Sequence, residues 1–286
     1  MRDLAGQKRE LGDGFSVARL LPQAGQRTVG PFVFFDYFGP VEFKPGHGID
    51  VRPHPHIGLA TITYLFDGSQ VHRDSLGNSL EIVPGDVNWM TAGRGIVHSE
   101  RTGAVVRARG HRMHGIQSWV GLPRTHEEDA PSFQHIAKDD LPSLNKNGVL
   151  LRLVTGKAYG LTAPVHVPME IFYVDAQLKA GSTLELPSDY EERGAMVVGG
   201  TVEAGSKGHA DGDMMIFDKG ERAQIKAITD ARVMLLGGAP LDGERHVWWN
   251  FVSSSRERIE RAKAAWKAGQ MGKIPGDDKE FIPLPD

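Results

Sequence analysis

Apolar residues in this chain come in short runs rather than in long periodic stretches. Leu59-Ala60-Thr61-Ile62-Thr63-Tyr64-Leu65-Phe66 and Ala195-Met196-Val197-Val198 are typical, each only a few residues long. Turn signals recur between such runs, because 35 glycines and 17 prolines are spread over the whole length. This punctuation predicts many short strands and an all-β sandwich or barrel. One segment departs from it. Ser254-Ser255-Arg256-Glu257 reads as a capping box, Ile259, Ala262 and Trp266 fall on one stripe, and Gly269 supplies a stop, so a helix is expected there. The Pro/Gly-rich tail from Gln270 to Asp286 is expected to lie extended over the surface, with Trp248 and Trp249 packing the C-terminal segment onto a second barrel.

The two halves echo one another. Val83-Pro84-Gly85-Asp86-Val87 returns as Ala210-Asp211-Gly212-Asp213-Met214, and the turn Asp67-Gly68-Ser69 as Gly199-Gly200-Thr201. Repetition at half the chain length suggests a duplicated β-barrel rather than a solenoid, whose periods are shorter.

Composition narrows the class. The chain has 286 residues, 40% hydrophobic and 24% charged, ample for a soluble core. A net charge of −3 without a long basic run argues against nucleic-acid binding by bulk electrostatics. The absence of cysteine excludes disulfides, thiolate nucleophiles and iron–sulfur clusters. No apolar run approaches the ~18 residues of a membrane span and the start lacks a signal core, so a cytoplasmic protein is expected. No serine, histidine and acid grouping stands out as a hydrolase triad, and no glycine-rich phosphate loop is present.

The chemistry concentrates in Arg52-Pro53-His54-Pro55-His56-Ile57-Gly58 and in Gly93-Arg94-Gly95-Ile96-Val97-His98-Ser99-Glu100. Each carries two potential ligands at spacing i, i+2, which puts both on one face of a strand. Two such strands side by side would converge three imidazoles and one carboxylate, a set that favours a first-row divalent metal over Mg or Ca and leaves positions open. The competing reading is ordinary surface histidines, since the chain has 12. His72 and Asp74 suggest a surface cross-strand hydrogen bond, and Arg94 a turn residue between two glycines. His111, His114 and His126 read as loop polar groups, with His114 the one best placed to support a metal ligand. Carried across the repeat, His54 and His56 fall on Leu186 and Ser188, and His98 and Glu100 on Ile225 and Ala227, so the second half is expected to have lost the site.

His54-Pro55-His56, His72-Arg73-Asp74-Ser75-Leu76-Gly77 and the stretch from Pro84 to Glu100 together resemble the pirin family. So do Gly30 to Pro40, Met113-His114-Gly115-Ile116-Gln117, Leu186 to Gly194 and His246 to Ser254, so the resemblance covers nearly the whole chain. It implies a bicupin, two antiparallel β-barrels (double-stranded β-helices) with a C-terminal helix. Residues 1–130 would form the metal-binding barrel, and 131–286 a barrel without metal plus the helix and tail. By the family motif His54, His56, His98 and Glu100 are the metal ligands, for one divalent transition metal per chain. Fe(II) is the first choice, with Mn, Co, Ni or Cu able to use the same set. One departure stands out: many pirins keep a Glu where this chain has Ala60, which implies a less acidic pocket there. The implied activity is that of a quercetin 2,3-dioxygenase, opening a flavonol with dioxygen, with Glu100 as the proton acceptor. The alternative is a non-enzymatic regulatory or redox-sensing metal protein that binds a protein partner. A monomer with no direct nucleic-acid or membrane contact is expected under either.

Overall fold

The computed structural model describes residues 1–12 and 15–285. The chain is mostly antiparallel strand with a cupin-type fold, and it divides into two compact units. The first is built chiefly of Ile136–Pro240 with Met1–Arg9 and Ala18–Tyr37; the second, of Phe38–His135 with Leu241–Asp286. Expectation and structure therefore differ at the termini. The strand Arg2–Leu4 pairs with Met214–Phe217 in the first unit, and the C-terminal helix and tail belong to the second.

The second unit holds the candidate ligands. One of its sheets runs Asp50–His56, Ile96–Arg101, Gln70–Asp74, Ser79–Ile82, all antiparallel. Facing residues of the other sheet come from Val87–Thr91, Leu59–Asp67 and His111–Gly121. Trp89, Tyr64, Leu59 and Ile62 are fully buried here.

The first unit repeats this plan. Its smaller sheet runs Thr183–Glu185, Gln224–Ala227, Thr201–Ala204, Lys207–Ala210, the same order of strands along the chain as in the ligand-bearing sheet. The repeated turns also match: Gly68 and Gly200 adopt φ of 82° and 76°, Gly85 and Gly212 of 88° and 87°. A Cβ at Gly68 would stand 2.4 Å from the Arg112 carbonyl oxygen and one at Gly200 2.2 Å from that of Asp230, so both turns need glycine twice over.

The register corrects part of the expected correspondence. Ile225 faces Leu184 as His98 faces His54. Leu184 and Leu186 thus take the His54 and His56 places, and Ser188 lies past the strand, exposed. The slip arises after the strand: Leu186 and Gly200 stand 14 positions apart where His56 and Gly68 stand 12 apart. Leu184, Leu186, Ile225, Ala227, Val202 and Ala204 all join one apolar core.

The helix Arg256–Lys267 forms as expected, with Ile259, Ala262 and Trp266 buried and Gly269 at φ 67° after it. Its N-cap is Ser255 rather than Ser254, accepting from the Arg258 amide, because the Ser254 amide and hydroxyl are both spent on Glu127. A short helix, Ala104–Arg109, was not foreseen. Trp248 and Trp249 pack with Phe251 and the helix against Ile57 and Val97, not on a second barrel. Burying such side chains contributes about 1.5–3 kcal/mol each, which seats the helix behind the ligand strands.

Candidate metal centre

Alternation in the strands Asp50–His56 and Ile96–Arg101 sends His54, His56, His98 and Glu100 to the inner face. Pro53 and Pro55 are tolerated because Asp50–His56 is an edge strand, where no ladder bond is required from them. The strand ends at Gly58, with φ of 67° and a would-be Cβ 1.9 Å from the Val252 carbonyl oxygen, so only glycine turns the chain here.

His54, His56 and His98 each offer a nitrogen within 4.8 Å of the others, and all three are buried. Backbone carbonyls fix two of the rings. His54 Nδ1 donates to the Arg52 oxygen at 2.9 Å and His56 Nδ1 to the Asn250 oxygen at 3.2 Å, leaving each Nε2 with its lone pair toward the centre. His56 Nε2 and His98 Nε2 stand 3.1 Å apart. That spacing is close to the ~3 Å between two ligands set ~2.1 Å from one ion at a right angle. The rings also contact one another, with centroids 4.3 to 5.0 Å apart. Burial pushes His54 down to about 4 and holds His56 and His98 well below the ordinary imidazole value, neighbouring histidines adding to the effect at all three. Three neutral imidazoles whose Nε2 atoms converge out of water fit a divalent transition metal.

Glu100 lines the same face, but its carboxylate is not within that group. It accepts from Gln70 Nε2 at 2.9 Å and from Thr63 Oγ1 at 3.3 Å. Burial raises its pKa, partly offset by His72 and by those two hydrogen bonds. A β-bulge intervenes between His98 and Glu100: His98 faces His54, yet Glu100 faces Val51. Bulges re-aim side chains.

His72 and Asp74 do bond, Nε2 to Oδ2 at 3.0 Å, but both are buried rather than on the surface. Their strand pairs with Ile96–Arg101, His72 opposite Glu100 and Asp74 opposite His98, so both face the centre. Burial pushes the Asp74 carboxyl up, but bonds from His72 and Asn78 outweigh it and hold the group below its ordinary value. The His72 ring stacks on Phe133 at 4.2 Å. His111 stacks on Phe43, His114 meets Phe66 edge-on, and His126 bonds Asp129, while Arg94 is exposed. Sequence reasoning missed Gln70, Thr63, Trp119 (edge-on to His56 at 5.1 Å) and the Asn250 carbonyl. Only Gln70 carried a signal, its i, i+2 spacing from His72.

Two cupin-type units, one with a buried three-histidine centre and the other with the matching places apolar, define a bicupin with one metal-site candidate among the described residues. The comparisons narrow this further. Residues 14–120 match the Pirin family model and residues 173–272 the Pirin C-terminal cupin domain. A pirin-like protein of Caulobacter vibrioides is 49% identical over 98% of this chain and 97% of its own length. The chain belongs to the pirin family. Among solved structures, a quercetin 2,3-dioxygenase from Acinetobacter baumannii is similar at TM-score 0.92 and 32% identity, covering 100% of this chain and 95% of that one. A bacterial pirin from Escherichia coli in complex with nickel(II) shares the fold, at TM-score 0.64 and 19% identity over 84% of this chain and 99% of that one. No helix among the described residues is long and apolar enough to cross a membrane.

Proposed function

We propose that this chain is a metal-dependent dioxygenase of pirin type that cleaves flavonols such as quercetin with dioxygen. The observation that carries the reading is the convergence of His54, His56 and His98 on a buried inner face beside Glu100. Similarity to the quercetin 2,3-dioxygenase structure supports the substrate class.

A first-row divalent ion, Fe(II) by preference, would be held by His54, His56, His98 and Glu100 and supplies Lewis acidity toward a flavonol hydroxyl. The protein's part is positional and electrostatic. The Arg52 and Asn250 carbonyls hold two imidazoles in the tautomer that presents Nε2. Glu100, made more basic by burial, takes the hydroxyl proton as general base, and Gln70 and Thr63 keep its carboxylate in place for this. Burial of all four side chains keeps bulk water from the reacting group.

The test is quercetin turnover under air after loading with Fe(II), and in parallel with Mn, Co, Ni or Cu. One dioxygen consumed and one carbon monoxide released per quercetin is the expected result. Metal bound at one per chain with no turnover under any of the five would overturn the enzymatic reading. A metal-dependent regulatory protein with a protein partner would then take its place.

A further inference from the structure

The bulge between His98 and Glu100 is a weak point in the ligand sheet. Opposite Ser99 the edge strand carries an additional residue, and the residues there are Arg52 and Pro53. Proline donates no ladder bond, so the strands are joined least where the inner face must be most exact in register. A one-residue slip would turn the ligands to the other face.

The C-terminal tail supplies bonds at this point, on both strands and from the outer side. Asp277 accepts from Ser99 Oγ at 2.7 Å, from Arg101 Nε at 2.8 Å and from Arg101 Nη2 at 2.9 Å. Ser99 and Arg101 are the two outward neighbours of inward-facing Glu100. On the edge strand, the Ile282 amide donates to the Pro53 carbonyl at 2.8 Å. The tail is itself fixed: Trp266 Nε1 donates to the Ile282 carbonyl at 3.0 Å, and Ile274 is buried against the helix and ligand strands. Desolvation raises the Asp277 carboxyl, but the bonds from Arg101 and Ser99 prevail and keep it below its ordinary value.

We infer that Asp277 is a positioning residue of the metal centre, gripping the strand on either side of Glu100 so that the bulged register, and with it the ligand set, is held. The inference rests on the proposed metal centre and adds to it a residue 178 positions from Ser99 that touches neither metal nor substrate. Cobalt(II) serves as the probe, since its visible ligand-field bands report coordination geometry without any turnover.

The experiment titrates Co(II) into the full-length protein and into Asp277→Ala, Ser99→Ala and Glu280→Gln. Loss of an outer support of this kind weakens metal affinity by 10- to 100-fold, so Asp277→Ala should bind within about that range below the unchanged protein, with altered bands at saturation. Ser99→Ala removes one hydrogen bond and leaves Arg101 paired. It should weaken binding by about fivefold, corresponding to ~1 kcal/mol, with bands shifted in the same sense. It serves as the test should Asp277→Ala fail to fold. Glu280→Gln, which touches Arg101 from an exposed position, should bind and absorb as the unchanged protein does. Bands identical to the unchanged protein in the folded Asp277→Ala and Ser99→Ala proteins would overturn the inference, whatever their affinity. An unchanged protein that binds no Co(II) would instead overturn the metal centre itself.

Discussion

Metal binding to this centre should resist acid far better than three ordinary histidines allow. Unperturbed imidazoles titrate near 6.5, so lowering the pH from 7 to 5 would pit ~30 protonated forms against each neutral one at three ligands, an affinity loss of ~10⁴. Burial changes the sum. With His54 at about 4 its ring keeps its lone pair at pH 5, and burial holds His56 and His98 well below the ordinary value, so all three resist protonation better than free imidazoles. Their share of the loss then falls well short of that figure. Glu100, the proposed fourth ligand, pulls the other way, since burial raises its carboxyl and favours the protonated form as pH falls. Affinity should therefore fall by far less than ~10⁴ over the window, with clearly fewer than three protons displaced per metal. Calorimetric titration between pH 7 and 5, in buffers of different ionisation enthalpy, counts those protons. A loss near ~10⁴, or close to three protons displaced per metal at pH 5, would refute the reasoning. The metal-free protein should show the converse. A histidine held below its unfolded value costs stability as pH drops from ~6.5, where the unfolded chain charges, to the folded pKa, where the loss levels off. For His54 that loss is about 3 kcal/mol, so apo-protein melting should fall steeply between pH 6.5 and 4.

Three more expectations follow from the same structure. Elemental analysis should find one transition metal per chain, because Leu184, Leu186, Ile225 and Ala227 fill the matching places in the other unit; two per chain would contradict the register. Glu100→Gln should weaken metal binding moderately and cut turnover per bound metal by ~10² or more, and near-normal turnover per metal would remove Glu100 as general base. Glu127→Ala should cost about 3–5 kcal/mol in denaturant unfolding, since buried Arg245, 2.7 Å from Glu127 through Nε, loses a counter-charge while Ser253 and Ser254 lose their acceptor.

The fold and the three imidazoles were legible because both follow local rules. Glycine and proline punctuation set the strand lengths, and the i, i+2 spacing put His54 with His56 and His98 with Glu100 on shared faces. The repeat was visible in its turns, where Gly68 and Gly200 are forced by backbone contacts made inside each unit. What stayed hidden are contacts between residues distant in sequence. The carbonyl that orients His56 belongs to Asn250, 194 positions on, and a backbone oxygen carries no residue-type signal. The burial of the His72–Asp74 pair depends on its strand lying beside Ile96–Arg101, a pairing that composition does not encode. The bulge left only Pro53 as a trace, and the packing of Trp248 and Trp249 behind Ile57 and Val97 left none.

The C-terminal tail gives this protein a schedule as well as a shape. His98 leaves the ribosome 179 residues before Asp277, a count taken from the positions of the two residues. At 5–20 residues per second that is a delay of roughly 10 to 35 s. Throughout that interval the histidines exist without the tail residues that hydrogen-bond their strands. Translation order and assembly order are therefore opposed, and the first-made barrel is the last to be finished. If the tail braces the sheet as inferred, an ion arriving early would meet it unbraced, and selective loading would belong to the chain after Asp277 has been made.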